Sequence, residues 1–420
     1  VPLLRDILYL LAVLVTAPVW LIALIRTGKW RTDWPGRFGR VPPGARPAAS
    51  EAPRPKRLLI HGVSVGEVNA VRGLVDALGQ LDPPVEVVIS TTTNTGTARA
   101  KALYCGRHAV VRLPFDFSWC VRRFLKAVEP DAVALVELEL WPNFLAACRR
   151  RDIPACVVNG RISERSFRGY RRLRPVLRGM FASLTAAGVQ TQDYADRFAA
   201  MGTPPDRVRV LDTMKWDNAV VTDTVDGAAD LAEELGLDPD RPVIVAGSTA
   251  PGEDELLIGQ RPPEAQLIIA PRKPEWFDAV TRHAPHAVRR TTRIPGPADV
   301  YLLDTIGELR KAYALADVVV VGRSFVPLYG SDVMEPVGLG RPTIIGPHHS
   351  DFAEVVAALE SAGGLVVAGD VGDAMRELLR NRRLAAEIAA AGRAVIRERQ
   401  GATARHVAML REVMGLGAHP

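Results

Sequence analysis

The sequence predicts an α/β protein made of two Rossmann-like domains facing a central cleft, preceded by an N-terminal membrane-anchor helix. Three observations carry that expectation. Short apolar runs alternate with helical stretches from residue 58 onward, the alternation starts afresh after a connector near residues 218 to 240, and the chain begins with one long apolar run. A chain of 420 residues with 48% hydrophobic content also exceeds what a single ordinary core needs.

The apolar run comes first. Residues 7 to 25 read ILYLLAVLVTAPVWLIALI without a charge, which suffices for a hydrocarbon core of about 30 Å at about 1.5 Å per residue. Arg26, Lys29, Arg31, Arg37 and Arg40 follow it, while only Arg5 and Asp6 precede it. The positive-inside rule then places the body in the cytoplasm, at the inner (plasma) membrane. A cleaved signal peptide is the rival, but its apolar region is shorter and LIALIRTG offers no small-x-small cleavage site. Pro18 leaves a kinked or interfacial helix open as a third reading. Residues 27 to 57 are basic and, from 41, rich in Pro and Ala, and read as an extended linker.

Two βα series follow. LLIHGVS, EVVIST, VVRLP, AVALVE, ACVVNG, LTAAGVQ and RVRVLD give the strands of a first domain over 58 to 220. PVIVAGS, QLIIAP, DVYLLD, DVVVVG, PTIIGP and GLVVAG give those of a second over 221 to 395, with a C-terminal helix over 396 to 420. Strands separated by helices predict parallel sheets, with ligands at the carboxyl ends of the strands.

Charge narrows the partners only partly. Lys and Arg number 53 against 47 Asp and Glu, a formal +6 that suits nucleic acid, anionic lipid or a phosphorylated substrate alike. The run from Arg161 to Gly179 holds seven arginines and one glutamate. It reads as a solvated helix face or, beside an anchor, as an anionic-surface patch. Nucleic acid is disfavoured, because no RNP, KH or zinc-finger signature accompanies the charge. The four cysteines form no C-x-x-C pair, which leaves a metal or disulfide framework without support and fits a reducing compartment.

Several strand ends carry chemistry-bearing residues. HGVSVGEV, 61 to 68, places Glu67 in the first turn of a helix, either as a capping carboxylate or as a general base. STTTNTGT supplies hydroxyls and Asn94, for a ligand or for an ordinary turn. VELELWPN ends an apolar strand in Glu137 and Glu139, carboxylates that are costly there unless paired or used. In the second domain GSTAPGEDE could hold a phosphate on backbone N–H groups. Arg272 and Lys273 close one strand, Gly307 and Glu308 open one helix, and Glu335 stands in a Gly-rich loop where a carboxylate can accept from a ribose diol. Each has a bland alternative as a cap or solvated turn; their order along the chain is what distinguishes them.

That ordered set resembles the Kdo (3-deoxy-D-manno-octulosonic acid) transferases, a family with the GT-B fold. The resemblance rests on RFG (37 to 39), HGVSVGEV, STTTNTGT, LPFDF, VELELWPN, VNGRISERS, QTQDYADRF, MKWD, GST with GEDE, PRKPEWF, DTIGEL, the Glu335 loop and GPHHSDF. It implies a metal-independent inverting transfer of Kdo from CMP-Kdo, the donor substrate, to a lipid A precursor (lipid IVA), with no cofactor. It places the catalytic base on Glu67 and stabilising groups on Glu137 and Lys215. CMP contacts fall on Pro271, Arg272, Ile306, Gly307, Glu308, Asp332, Val333, Met334 and Glu335, with Glu335 on the ribose. The sequence departs from the family's pattern in the donor half. GGHN is Tyr329, Gly330, Ser331, Asp332 here, PRHPERF is PRKPEWF, and the helix after GEDE is shortened. A related transferase with another nucleotide sugar, a catalytically impaired binding homologue and an epimerase-like enzyme are the competing functions.

Overall fold

The structure is a computed structural model that describes residues 5–7, 9–11, 13–17, 19, 32–47, 54–292 and 297–417. The expected anchor over 1 to 26 lies in large part outside them. Among the described residues no helix is long and apolar enough to cross a membrane. The chain forms two compact units, Val1–Asn218 with Gly401–Pro420, and Ala219–Gln400.

The first unit is a seven-stranded parallel sheet: β1 (Arg57–His61), β2 (Glu86–Thr91), β3 (Ala109–Arg112), β4 (Ala132–Val136), β5 (Ala155–Gly160), β6 (Ala186–Val189) and β7 (Val208–Val210). Their order across the sheet is β3-β2-β1-β4-β5-β6-β7. β1, β4 and β5 are buried throughout, the uniformly apolar signature of strands covered on both faces. One face packs Leu59, Val133, Leu135 and Val157 with Phe124, Phe144 and Phe198, and the other packs Ile60, Ala134 and Val158 with Leu74, Leu78 and Leu410. Leu410 belongs to the helix Ala402–Val413, which returns to this unit after the second one. Asp217 receives it, accepting from the backbone N–H groups of Gly401 (2.6 Å) and Thr403.

The second unit repeats the plan with β8 (Val243–Thr249), β9 (Gln266–Pro271), β10 (Val288–Arg289), β11 (Val300–Leu302), β12 (Val318–Val321), β13 (Thr343–Ile345) and β14 (Val366–Val367). Its order is β10-β11-β9-β8-β12-β13-β14. The divisions fall at 218/219 and 400/401, against the expected 220/221 and 395/396.

Three details differ from the sequence reading. The helix expected from Glu67 to Leu78 breaks at Val71 into Val65–Ala70 and Arg72–Gly79. The connector contains a helix, Ala228–Leu235, whose Leu231 and Leu235 are buried. Part of the expected linker is folded: Val41 and Ala45 are buried in the first core, and the Arg57 guanidinium donates to the Ala45 carbonyl at 3.0 Å and to that of Val128 at 2.7 Å. Pro and Ala density hid that segment, because it has too few apolar residues to show a period. Gly39, at φ 78°, lets it lie against the helix Ser118–Val128; a Cβ there would stand 2.4 Å from the Cys120 carbonyl oxygen.

Candidate active site

In the first unit the strand order reverses between β1 and β4, and such a reversal opens a crevice at the strands' carboxyl ends. Glu67 and the Glu137–Glu139 pair follow these two strands. Glu67 sits in the first turn of Val65–Ala70, capped by Ser64. The Ser64 hydroxyl donates to Oε1 at 2.8 Å, the Val63 N–H donates to Oε2 at 2.8 Å, and the Glu67 N–H returns a bond to Ser64 Oγ at 3.3 Å. This is a capping box with the glutamate reaching one residue further back. An ionised carboxylate has about four acceptor positions. The cap occupies one on each oxygen, so capping and proton abstraction are compatible roles for one half-buried side chain.

The residues after β4 supply the electrostatic partner. Glu137 turns the chain at φ 57°. Glu139, two residues on and half-buried, has its carboxyl pushed from an ordinary 4.5 up to about 7 by burial and by the Glu67 charge, with Glu137 adding to the rise and the Trp141 side chain working against it. Glu67, Glu137 and Glu139 therefore form one interacting group, and Glu139 is its member held near neutrality. The resemblance implies a stabilising role for Glu137, and the structure adds Glu139 to the same charged group.

Lys215 is half-buried in the segment that follows β7. The preceding residue, Met214, donates its N–H to Asn159 Oδ1 at 3.2 Å, at the end of β5. Asn159, at φ 53°, donates its own N–H to His406 Nε2 at 3.0 Å, so the returning C-terminal helix braces the loop from behind. Asp116 of LPFDF accepts from the N–H groups of Asn143 (2.9 Å) and Phe144 (2.8 Å), which join that motif to WPN. Burial pushes its carboxyl up to about 6, against those bonds and one from the Tyr9 hydroxyl.

In the second unit the reversal lies between β8 and β12. Gly322 brings the two strand-end loops into backbone contact, since a Cβ there would stand 2.6 Å from the Thr249 Cα. Fully buried Glu253 ties them, accepting from the N–H groups of Ala250 (2.9 Å), Arg323 (2.7 Å), Ser324 (2.8 Å) and Phe325 (2.9 Å). The GEDE motif contained this residue, but nothing in the sequence marked it as the one turned inward.

The expected donor-binding residues all lie at carboxyl ends of this sheet. Pro271 ends β9, and the exposed Arg272 follows with its N–H on the Thr249 carbonyl at 2.9 Å. Asp332 is exposed and accepts the Met334 N–H at 2.9 Å, opening the short helix Met334–Gly338, while Val333 and Met334 are buried. Glu335 is half-buried; burial and the Asp332 charge raise its carboxyl above the usual range, against Arg310. The charges of Glu335, Asp332 and Arg272 all act on buried Tyr313, so these three share one neighbourhood. The Ile306–Glu308 stretch is engaged differently. Ile306 is exposed, Gly307 turns at φ 96°, and Glu308 accepts from Thr305 Oγ1 at 2.5 Å and pairs with Arg290 at 3.2 Å. Burial opposes its ionisation, yet Thr305 and Arg290 outweigh it and hold the carboxyl below its ordinary value.

The raised Glu139 carboxyl has a measurable consequence. The folded protein keeps a proton there that the unfolded chain, near 4.5, gives up. That contribution is whole below about 4.5 and is lost as pH rises through about 7. Chemical denaturation of the first unit across this window should show a falling midpoint, and Glu139→Gln should flatten it. An unchanged slope in the variant would remove the charge coupling described above.

Comparison with known proteins identifies the family and the fold. Residues 32–218 match the family described as 3-Deoxy-D-manno-octulosonic-acid transferase (kdotransferase). A 3-deoxy-D-manno-octulosonic acid transferase of Haemophilus influenzae is 30% identical over 86% of this chain and 88% of its own length. One from Bordetella pertussis is 33% identical over 96% of this chain and 97% of its own. Among solved structures, a glycosyltransferase from Rickettsia africae superposes with a TM-score of 0.59 at 10% identity, covering 86% of this chain and all of that one, a likeness of fold that marks the two α/β units as GT-B-like. With identity at this level over nearly the whole of both sequences, the chain belongs to the 3-deoxy-D-manno-octulosonic acid transferase family.

Proposed function

We propose that the chain transfers Kdo from CMP-Kdo to a glucosamine hydroxyl of a lipid A precursor (lipid IVA), with inversion, in lipopolysaccharide biosynthesis. The observation that carries this reading is Glu67, aimed by Ser64 and Val63 at the β1/β4 reversal beside a carboxyl that stays protonated up to about pH 7. The acceptor hydroxyl oxygen attacks the anomeric carbon of Kdo as Glu67 takes its proton, and the bond to CMP breaks with its electron pair leaving on the CMP phosphate. Glu137 offsets the oxocarbenium-like charge at the sugar, and Lys215 and Arg272 meet the negative charge that departs with CMP. A metal has no role in this scheme. Pro271, Arg272, the 306–308 stretch and residues 332–335 hold the nucleotide, with Glu335 on the ribose.

The membrane belongs to the same proposal. An apolar run followed by basic residues supports an N-terminal anchor with the body on the cytoplasmic side of the inner membrane. Described side chains add to it: Leu14, Val15 and Val19 are exposed, and so is a cluster in which Phe38 stacks on Trp34 and Trp119. Aromatic side chains of this kind favour the headgroup level of a bilayer.

Three outcomes test the proposal. With the full chain in detergent, CMP-Kdo and a tetraacylated disaccharide acceptor, Glu67→Gln should lower kcat by roughly 10² to 10⁴; kcat within about tenfold of the unmodified chain would remove the base, and CMP binding without any turnover would favour an impaired homologue. Asp332→Asn should lower the KM for the donor about threefold to tenfold at low ionic strength, because it removes a charge near the CMP phosphate. Removal of residues 1–26 should abolish sedimentation with anionic vesicles, and retention of sedimentation would leave the anchor without a role.

A further inference from the structure

A groove of about 1250 Å³ runs along the outer edge of β3 in the first unit, between residues 33–47 and the helices Asn94–Tyr104 and Ser118–Val128. Its lining carries six cations, Arg40, Arg46, Lys101, Arg112, Arg123 and Lys126. Against them stand two carboxylates, Asp33 and Glu129, and Asp33 already accepts the Gly36 N–H at 3.0 Å. Among the described residues, the side chains of Arg40, Lys101, Arg123 and Lys126 make no ion pair or hydrogen bond.

Arg112 is the built part of this site. It is 7% exposed, yet its Nε is buried without a partner, although Nη1 donates to the Thr92 carbonyl at 2.6 Å and Nη2 to Asn94 Oδ1. A second guanidinium, Arg37, shares the Thr92 carbonyl, and burial together with the Arg112 charge makes its ionisation harder. Two neighbouring cations and one orphaned buried donor constitute an unmet demand for an anion.

The charge count indicates which anion. Six cations over two carboxylates leave an excess of four, whereas a phosphomonoester brings about −1.5 to −2 at neutral pH. The groove therefore balances about two phosphoryl groups, more than one carboxylate or one sulfate would supply. A hydrogen-bond relay links Arg112 to the candidate base: its partners Thr92 and Asn94 flank Thr93, whose N–H and hydroxyl both donate to the Val63 carbonyl, and the Val63 N–H donates to Glu67.

We propose that this groove is a binding site for phosphoryl groups of the acceptor. The assignment rests on the transferase reading of the first unit for the identity of its ligand, but not for the existence of the site. The same chemistry could come from phospholipid headgroups, and the experiment separates the two sources.

The double variant Lys101→Glu, Arg123→Glu changes two exposed side chains, and Arg112→Lys serves as a second variant that retains the charge while removing the fork. With the full chain saturated with CMP to occupy the donor half, calorimetric titration with inorganic pyrophosphate should show affinity falling about tenfold or more in the double variant. The KM preference for a phosphorylated acceptor over the same acceptor after phosphatase treatment should fall by a similar factor in both variants. Equal pyrophosphate affinity in all three proteins overturns the site. An unchanged KM preference, together with weakened calorimetric binding of a water-soluble short-chain phosphatidylglycerol below its micelle concentration, a probe that does not depend on residues 1–26, assigns the groove to lipid headgroups and overturns the acceptor assignment. A chain with no transferase activity would sink the functional reading, while the pyrophosphate titration would still decide the groove.

Discussion

The molecule depends on acidic side chains that collect backbone N–H groups at places where strand-end loops would otherwise leave them unpaired. Glu253 gathers four such donors from both sides of the β8/β12 reversal. Asp116 gathers two at the start of the helix after VELEL, Asp217 two at the start of the last helix, and Glu67 one from its own approach loop. A buried N–H without a partner costs about 1 to 3 kcal/mol, and a bond to a charged acceptor is among the stronger ones available. Loops fixed in this way can present side chains without being regular structure, which both crevices require.

The same loops store strain where chemistry is expected. Glu137, Asn159, Asp212, Ser248 and Arg323 adopt left-handed backbone angles, with φ between 53° and 67°. Each lies at or just beyond a strand's carboxyl end, after β4, β5, β7, β8 and β12. Such a conformation costs a non-glycine residue on the order of 1 kcal/mol and persists only where the surroundings over-determine it. Here the surroundings are the clamps just described: Glu253 accepts from Arg323 itself, and His406 accepts from Asn159 itself. The strain is held by an imidazole in the first unit and by a carboxylate in the second, each bonding a strained residue's own N–H.

This explains what could be read from the sequence and what could not. Thirteen of the fourteen strands correspond to apolar runs visible in the chain, because parallel strands covered on both faces leave an unbroken hydrophobic trace. β10 has two half-buried residues, Val288 and Arg289, and leaves no such trace. The candidate residues were legible as strand-end motifs, yet their mutual arrangement was not. Choosing between Glu137 and Glu139 requires knowing that burial and the Glu67 charge converge on Glu139, which no spacing reveals. Arg112 was equally silent: it ends an ordinary edge strand, and only the fold sets it beside Arg37 with an unfilled donor.

The donor half holds the positions at which the sequence differs from the motif pattern that it resembles. Lys273 and Trp276 are two of these positions, and the Lys273 ammonium lies 4.9 Å from the centre of the half-buried Trp276 ring, so the two differences meet one another. Asp332 accepts the Met334 N–H as a cap, a task asparagine performs as well. The fold therefore does not demand a carboxylate at 332. Its charge raises the Glu335 carboxyl and disfavours an anion nearby, so the consequence of an aspartate at 332 falls on what binds at that loop, not on the stability of the helix it starts.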